Sequence, residues 1–111
     1  YATIDGTGVR DYIHVMDLAR GHLLAYEKLK RGTEIYNLGT GRGTSVLELI
    51  KTFEKVNKIN IPYKIGKRRD GDLAEYYADV TKARNELIFD AKMTVDDMVK
   101  DSWRYIELNH Y

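Results

Sequence analysis

Glu34-Ile35-Tyr36-Asn37-Leu38-Gly39-Thr40-Gly41-Arg42-Gly43-Thr44-Ser45-Val46-Leu47-Glu48 reads as three pieces in a row. The β-branched and aromatic residues of 34–38 favour a strand. Gly39, Gly41 and Gly43 then break the pattern into a loop. Thr44-Ser45 opens a helix: Ser45 and Glu48 have capping-box spacing, and Val46, Leu47, Leu49, Ile50, Phe53 and Val56 supply its apolar side. Strand, glycine loop and helix N-terminus together can present free backbone N–H groups to an anion. Neither phosphate fingerprint is completed, however. A dinucleotide loop needs glycine at its sixth position, where Thr44 stands, and an acidic residue about 20 positions on, where Ile61, Pro62 and Tyr63 stand. No Gly-Lys-Ser/Thr ends a P-loop. The stretch decides for an α/β fold and gives no evidence of a dinucleotide site.

The same order extends outward in both directions. Residues 1–8 form a loop punctuated by Gly6 and Gly8. Residues 9–15, with Val9, Tyr12, Ile13 and Val15, favour a strand, and Arg10-Asp11 places paired charges in it. Residues 16–30 read as a helix with Asp17 as its cap and Gly32 as its stop. Downstream, residues 61–65 read as a third strand, entered through Pro62. Tyr76-Tyr77-Ala78-Asp79 forms a brief extended piece, after which Asp79 caps a short helix over 80–87. Thr94 caps a last helix whose Met98, Val99, Trp103 and Ile106 face a core, with Asp96 and Asp97 in its first turn. The expected architecture is a small mixed sheet with helices.

Composition excludes several classes. A chain of 111 residues has room for one domain. Its net charge of +1 leaves no basic field for nucleic acid. There are no cysteines for disulfides or thiolate metal sites, and His14, His22 and His110 are too scattered for a metal set. No apolar run approaches a membrane span and no signal-peptide pattern opens the chain, so a cytoplasmic location is expected. Tyr1 opens on a loop, which reads as one piece of a longer fold.

Candidate chemistry concentrates in Lys67-Arg68-Arg69-Asp70-Gly71-Asp72-Leu73-Ala74-Glu75-Tyr76. Guanidinium forks match phosphate oxygens, and a carboxylate accepts hydrogen bonds from sugar hydroxyls. The alternative is a solvated charged loop. Tyr-x-x-x-Lys, a proton-transfer spacing in short-chain dehydrogenases, occurs at Tyr26/Lys30 and Tyr63/Lys67. The first is an ordinary pair at a helix end and the second spans Gly66, so neither is read as catalytic.

Three blocks together closely resemble the UDP-glucose 4-epimerase family of extended short-chain dehydrogenase/reductases. They are Asp5-Gly6-Thr7-Gly8-Val9-Arg10-Asp11-Tyr12-Ile13-His14-Val15, Tyr36-Asn37-Leu38-Gly39-Thr40-Gly41 and Arg68-Arg69-Asp70-Gly71-Asp72. Ala78-Asp79 with its following helix and Trp103 extend the match. The resemblance covers the family's C-terminal third. It implies that residues 1–43 straddle the edge of the NAD domain and that residues 44–111 belong to the C-terminal UDP-sugar-binding domain of a Rossmann-type epimerase. The NAD domain, with its glycine loop and catalytic Tyr-x-x-x-Lys, would lie upstream. The implied cofactor is NAD at a site outside this chain, with no metal, and the implied ligands are UDP-glucose and UDP-galactose.

Carried over position by position, the resemblance makes Arg10 and Arg69 the grips on the diphosphate. Tyr12 and Val46 would line the ligand, and Asp72 would accept the ribose hydroxyls. Tyr76 would wall the hexose pocket, implying preference for glucose and galactose over N-acetylated sugars. The implied reaction of galactose metabolism is oxidation at C4 to a 4-keto sugar followed by hydride return to the other face. This chain would supply binding and positioning and would be inactive alone. Alternative readings are a piece of another nucleotide-sugar dehydratase or decarboxylase, or a stand-alone interaction module.

The family's packing also implies uncovered apolar surface on residues 16–30 and 35–38, and hence self-association or a rearranged 1–43 segment. Light scattering is expected to show a species larger than one chain, whereas a clean monomer with the family arrangement would contradict this.

Overall fold

The computed structural model describes residues 1–109. In chain order its elements are β1 (Val9–Arg10), α1 (Val15–Lys28), β2 (Thr44–Ser45), α2 (Val46–Asn57), α3 (Thr81–Leu87) and α4 (Val95–Asn109). The class is α/β as expected. His110 lies outside the described residues.

The helices fall where apolar periodicity placed them, because each needs only its own backbone bonds and one apolar face. Ser45 caps α2 by accepting from the Glu48 N–H (3.0 Å). At α4, Thr94 Oγ1 accepts from the Asp97 N–H (3.3 Å) while the Asp97 carboxylate accepts from the Thr94 N–H (2.8 Å), which is a complete capping box. α3 begins at Thr81 with Val80, not Asp79, at its N-cap and no side-chain cap; Asp79 accepts from the Thr81 N–H (3.0 Å) just ahead of it, a local turn bond that has a cap's sequence signature.

One cap differs. The N-cap of α1 is His14, whose Nδ1 accepts from the Met16 N–H (3.0 Å), and the helix ends at Lys28, short of Gly32. Asp17 is instead buried, and its carboxylate accepts from the Lys92 and Met93 N–H groups (3.1 and 2.9 Å). Asp17 therefore pins the approach to α4 against α1.

The strands are fewer and shorter than composition predicts. β1 and β2 pair antiparallel, with Val9 opposite Ser45 and Arg10 opposite Thr44. Val9 also bridges in parallel to Glu75: its N–H donates to the Ala74 carbonyl (2.9 Å) and its carbonyl accepts from Tyr76 (3.1 Å). The sheet is thus small and mixed, but residues 11–15, 34–38 and 61–65 are not in it. A strand persists only where a neighbouring backbone takes up its N–H and C=O groups, and local composition cannot supply that neighbour. Residues 34–38 keep a strand's alternation without a ladder. Tyr36 and Leu38 pack on the core while Ile35 is exposed.

The packing divides into two clusters. Ala83, Leu87 and Phe89 are buried, with Ile13, Leu24, Ala25, Tyr36 and Leu38 against them. Elsewhere α2 crosses α4, with Phe53 and Trp103 edge to face at 5.9 Å and Asn57 donating to the Val99 carbonyl (3.1 Å). Ile88 closes α3 at φ 53°, a costly conformation for a β-branched residue, held by its buried neighbours Leu87 and Phe89. The radius of gyration is 16.4 Å, against about 13 Å for a compact domain of ~100 residues. In keeping with that open shape, Leu23, Tyr26 and Leu29 of the α1 region are exposed.

Asp11 joins the pieces that the small sheet leaves apart. Its carboxylate accepts from the Thr40 N–H (3.0 Å), the Gly41 N–H (3.0 Å), the Thr40 hydroxyl (2.6 Å) and the Ala78 N–H (3.2 Å). Gly41 turns the loop at φ 75°, and a Cβ at Gly39 would lie 2.6 Å from an Asp11 carboxylate oxygen. Removing the carboxylate strands several half-buried donors at once. Asp11→Ala is expected to lower unfolding free energy by about 3 kcal/mol, read from denaturant titration, and a loss below ~0.5 kcal/mol would contradict the clamp.

Candidate functional site

Adjacent residues on a strand point to opposite faces, and β1 continues that alternation into Asp11. Asp11 faces the glycine loop, and Arg10 faces a cleft of about 410 Å³ on the other side. The Arg10 guanidinium donates to the Val9 carbonyl and to Asp72 Oδ1, both at 2.8 Å, and lies 4.4 Å from the centre of the Tyr76 ring.

Asp72 comes from a turn that Gly71 makes possible at φ 76°. Its Oδ2 accepts from the Tyr1 hydroxyl (2.6 Å) and from Arg69 Nη2 and Nε (3.0 and 3.3 Å). Arg68 donates to the Asp72 carbonyl (2.8 Å) and lies over the Tyr1 ring. Hydrogen bonding from Tyr1, then Arg69, with both arginine charges nearby, holds the Asp72 carboxyl down at about 2. The same pairing raises the pKa of Arg69.

Of the residues singled out in the sequence, Arg10, Tyr12, Val46, Arg69 and Asp72 all line this cleft. Tyr76 reaches it through its contact with Arg10 and is not on the cleft wall. Burial raises the Tyr12 hydroxyl's pKa, partly offset by Arg10.

Lys67 and Arg68, to which the resemblance gave no role, line the cleft as well, together with Lys64 and Tyr63. Five cationic side chains and a single carboxylate therefore share one small concavity in a chain of net charge +1. The density of basic residues over 64–69 was the available signal. For Tyr1 no local signal existed, since its partner is 71 positions away.

The glycine loop and the N-terminus of α2 do not form the anion site that their order suggested. Val46 N–H donates to the Gly8 carbonyl (3.0 Å), Leu47 N–H to Thr7 Oγ1 (3.2 Å) and Glu48 N–H to Ser45 Oγ (3.0 Å). In the loop, the Thr40 and Gly41 amides are taken by Asp11. These N–H groups do cradle an anion, and it is the protein's own carboxylate.

His14 is similarly committed. Because Nδ1 accepts from Met16, Nε2 carries the proton and donates to Asp101 (2.8 Å). Among the described residues no group of three or more His, Cys, Asp or Glu side chains could hold a metal ion, and no helix is long and apolar enough to cross a membrane. Tyr26 lies within α1 while Lys30 lies beyond its end, so that pair shares no helical turn.

A family model described as GDP-mannose 4,6 dehydratase matches residues 1–102. The chain belongs to this family. Its curated relatives include the UDP-glucose 4-epimerase of Bacillus subtilis (strain 168), 53% identical over 98% of this chain and 33% of the relative. The Homo sapiens UDP-glucose 4-epimerase is 51% identical over 98% of this chain and 32% of its own length. Among solved structures, the UDP-glucose 4-epimerase from Bifidobacterium longum in complex with NAD+ and UDP superposes with a TM-score of 0.93 at 51% identity. That match covers 99% of this chain and 33% of the other.

The chain thus spans about a third of the length of the relatives it matches. The epimerase resemblance read from the motifs agrees with these relatives. Residues 1–43 keep the relatives' arrangement, so the rearranged segment considered above is not observed.

Asp72 has a pH signature. Its folded pKa lies below the unfolded value of about 3.9. Its contribution to stability is therefore present above that value and is lost as pH falls toward about 2. The stability difference between wild type and Asp72→Asn is expected to shrink over that window in acid denaturant titrations. A constant difference from pH 5 to about 2 would contradict the pairing.

Proposed function

We propose that the chain binds a UDP-sugar in the cleft beside Arg10, as the substrate-holding portion of a UDP-glucose 4-epimerase. One observation carries the reading. Two guanidinium groups distant in sequence converge on a single carboxylate at the wall of a strongly cationic cleft. Two arginine forks so placed match a diphosphate. The relatives are UDP-glucose 4-epimerases, and the Bifidobacterium longum enzyme is described in complex with UDP.

On this reading Arg10 and Arg69 hold the diphosphate, Asp72 accepts sugar hydroxyls, Tyr12 and Val46 supply cleft wall, and Tyr76 backs Arg10 toward the hexose. The site is shared between residues 1–43 and the rest, since β1 and β2 pair across that division. The chemical contribution is positioning: an anchored diphosphate leaves the hexose as the moving part.

NAD is a ligand of the Bifidobacterium longum epimerase. The described residues do not fit it: the glycine loop's amides are occupied by Asp11 and the α2 N-terminus is closed, so no step through the cofactor belongs to this chain. The exposed apolar residues of α1 support self-association, which extends the same proposal.

The test is calorimetric titration with UDP. Arg69→Ala is expected to weaken binding by about tenfold or more, and an unchanged affinity would remove Arg69 from the site. A second reading rests on the matching family model, whose description names a GDP-sugar enzyme. Titration across UDP, GDP and dTDP separates the two: uracil preference is expected, and guanine preference would favour the second.

A further inference from the structure

The anion that Arg10 and Arg69 hold in this structure is Asp72. A carboxylate offers about four acceptor positions. Here Arg10 Nη2, Tyr1 OH, Arg69 Nε and Arg69 Nη2 fill them. The turn is also held on its main chain, by Arg68 to the Asp72 carbonyl and by the Asp72 N–H to the Arg69 carbonyl.

We propose that Asp72 acts as an internal competitor for the cleft's anion, making it a specificity-determining residue that rejects bare phosphates and admits ligands carrying hydroxyl groups beside their phosphates. This deepens, and rests on, the reading of the cleft as a diphosphate site.

The geometry supports the exchange from both sides. Arg10 has two further contacts, the Val9 carbonyl and the Tyr76 ring, and its side chain is 15% exposed, so it keeps its aim when Asp72 leaves. Arg69 is 82% exposed and can follow whichever anion takes it. An incoming diphosphate must take both guanidinium groups from Asp72. The displaced carboxylate then faces a second anion with most of its donors gone, and like charges set side by side are strongly unfavourable. Bare pyrophosphate offers it nothing in return. A ligand with hydroxyl groups offers replacement donors, so the carboxylate leaves the arginines and remains satisfied.

The experiment is calorimetric titration of wild type, Asp72→Asn and Asp72→Glu with inorganic pyrophosphate and, separately, with UDP. Asp72→Asn is expected to bind pyrophosphate about tenfold more tightly than wild type, with UDP affinity unchanged or reduced. Asp72→Glu is expected to keep the wild-type preference for UDP. Unchanged or weaker pyrophosphate binding by a folded Asp72→Asn protein overturns the competitor role. If Asp72→Asn fails to fold, Tyr1→Phe removes one donor from the carboxylate and leaves both arginines. As Tyr1 is the one donor the displaced carboxylate would keep, this is expected to weaken pyrophosphate binding by roughly threefold, and unchanged or tighter binding overturns the proposal. Failure of the nucleotide reading has a separate signature: UDP does not bind, while pyrophosphate still gains in Asp72→Asn.

Discussion

The Asp11 carboxylate is the constraint on which the rest of the chain depends. It collects amide and hydroxyl donors from Thr40, Gly41 and Ala78, segments far apart in sequence. Those contacts bring the glycine loop against the start of the α3 region. They also set the direction of Arg10, one residue earlier on the opposite face. A loop whose order suggests a ligand site is thereby converted into a structural joint, and the cleft-facing charge belongs to its neighbour Arg10.

The same device recurs wherever the packing is thin. Asp17 takes the Lys92 and Met93 amides, and despite burial, which opposes ionisation, those donors and Arg20 hold its pKa below the ordinary range. Asp5, whose pKa is lowered by Ser45 and Thr7, ties the entry loop to α2. The described apolar core centres on a few fully buried residues, Ala83, Leu87, Phe89 and Val99. Carboxylate–amide bonds make direct, geometrically specific links where apolar area is scarce, which suits an open fold held at its joints. Asp72 is one more such link, but it faces the cleft and its carboxylate is held by side chains, Tyr1, Arg10 and Arg69, in place of backbone amides.

Much of this was legible before any coordinates. The helices followed from periodicity and caps, because Ser45 with Glu48 and Thr94 with Asp97 are local signals. Arg10, Arg69 and Asp72 were legible through their motifs. Asp17 and Asp11 were not: each looked like a helix cap or a surface charge, since their amide partners lie tens of residues away. Residues 61–65 have a strand's composition without a strand's neighbour. Lys67 and Arg68 were given no role because nothing local announces the cleft they line.

The residue types and spacings alone determined the class, the four helices with two of their caps, and the presence of phosphate-matching side chains. These are properties of short stretches, governed by propensity, periodicity and side-chain chemistry. Only the tertiary structure decided which carboxylates clamp and which one faces the cleft, which strand-like stretches find partners, and that the glycine loop is closed. Those outcomes depend on contacts between distant segments, where a donor left unsatisfied costs more than any local preference can recover.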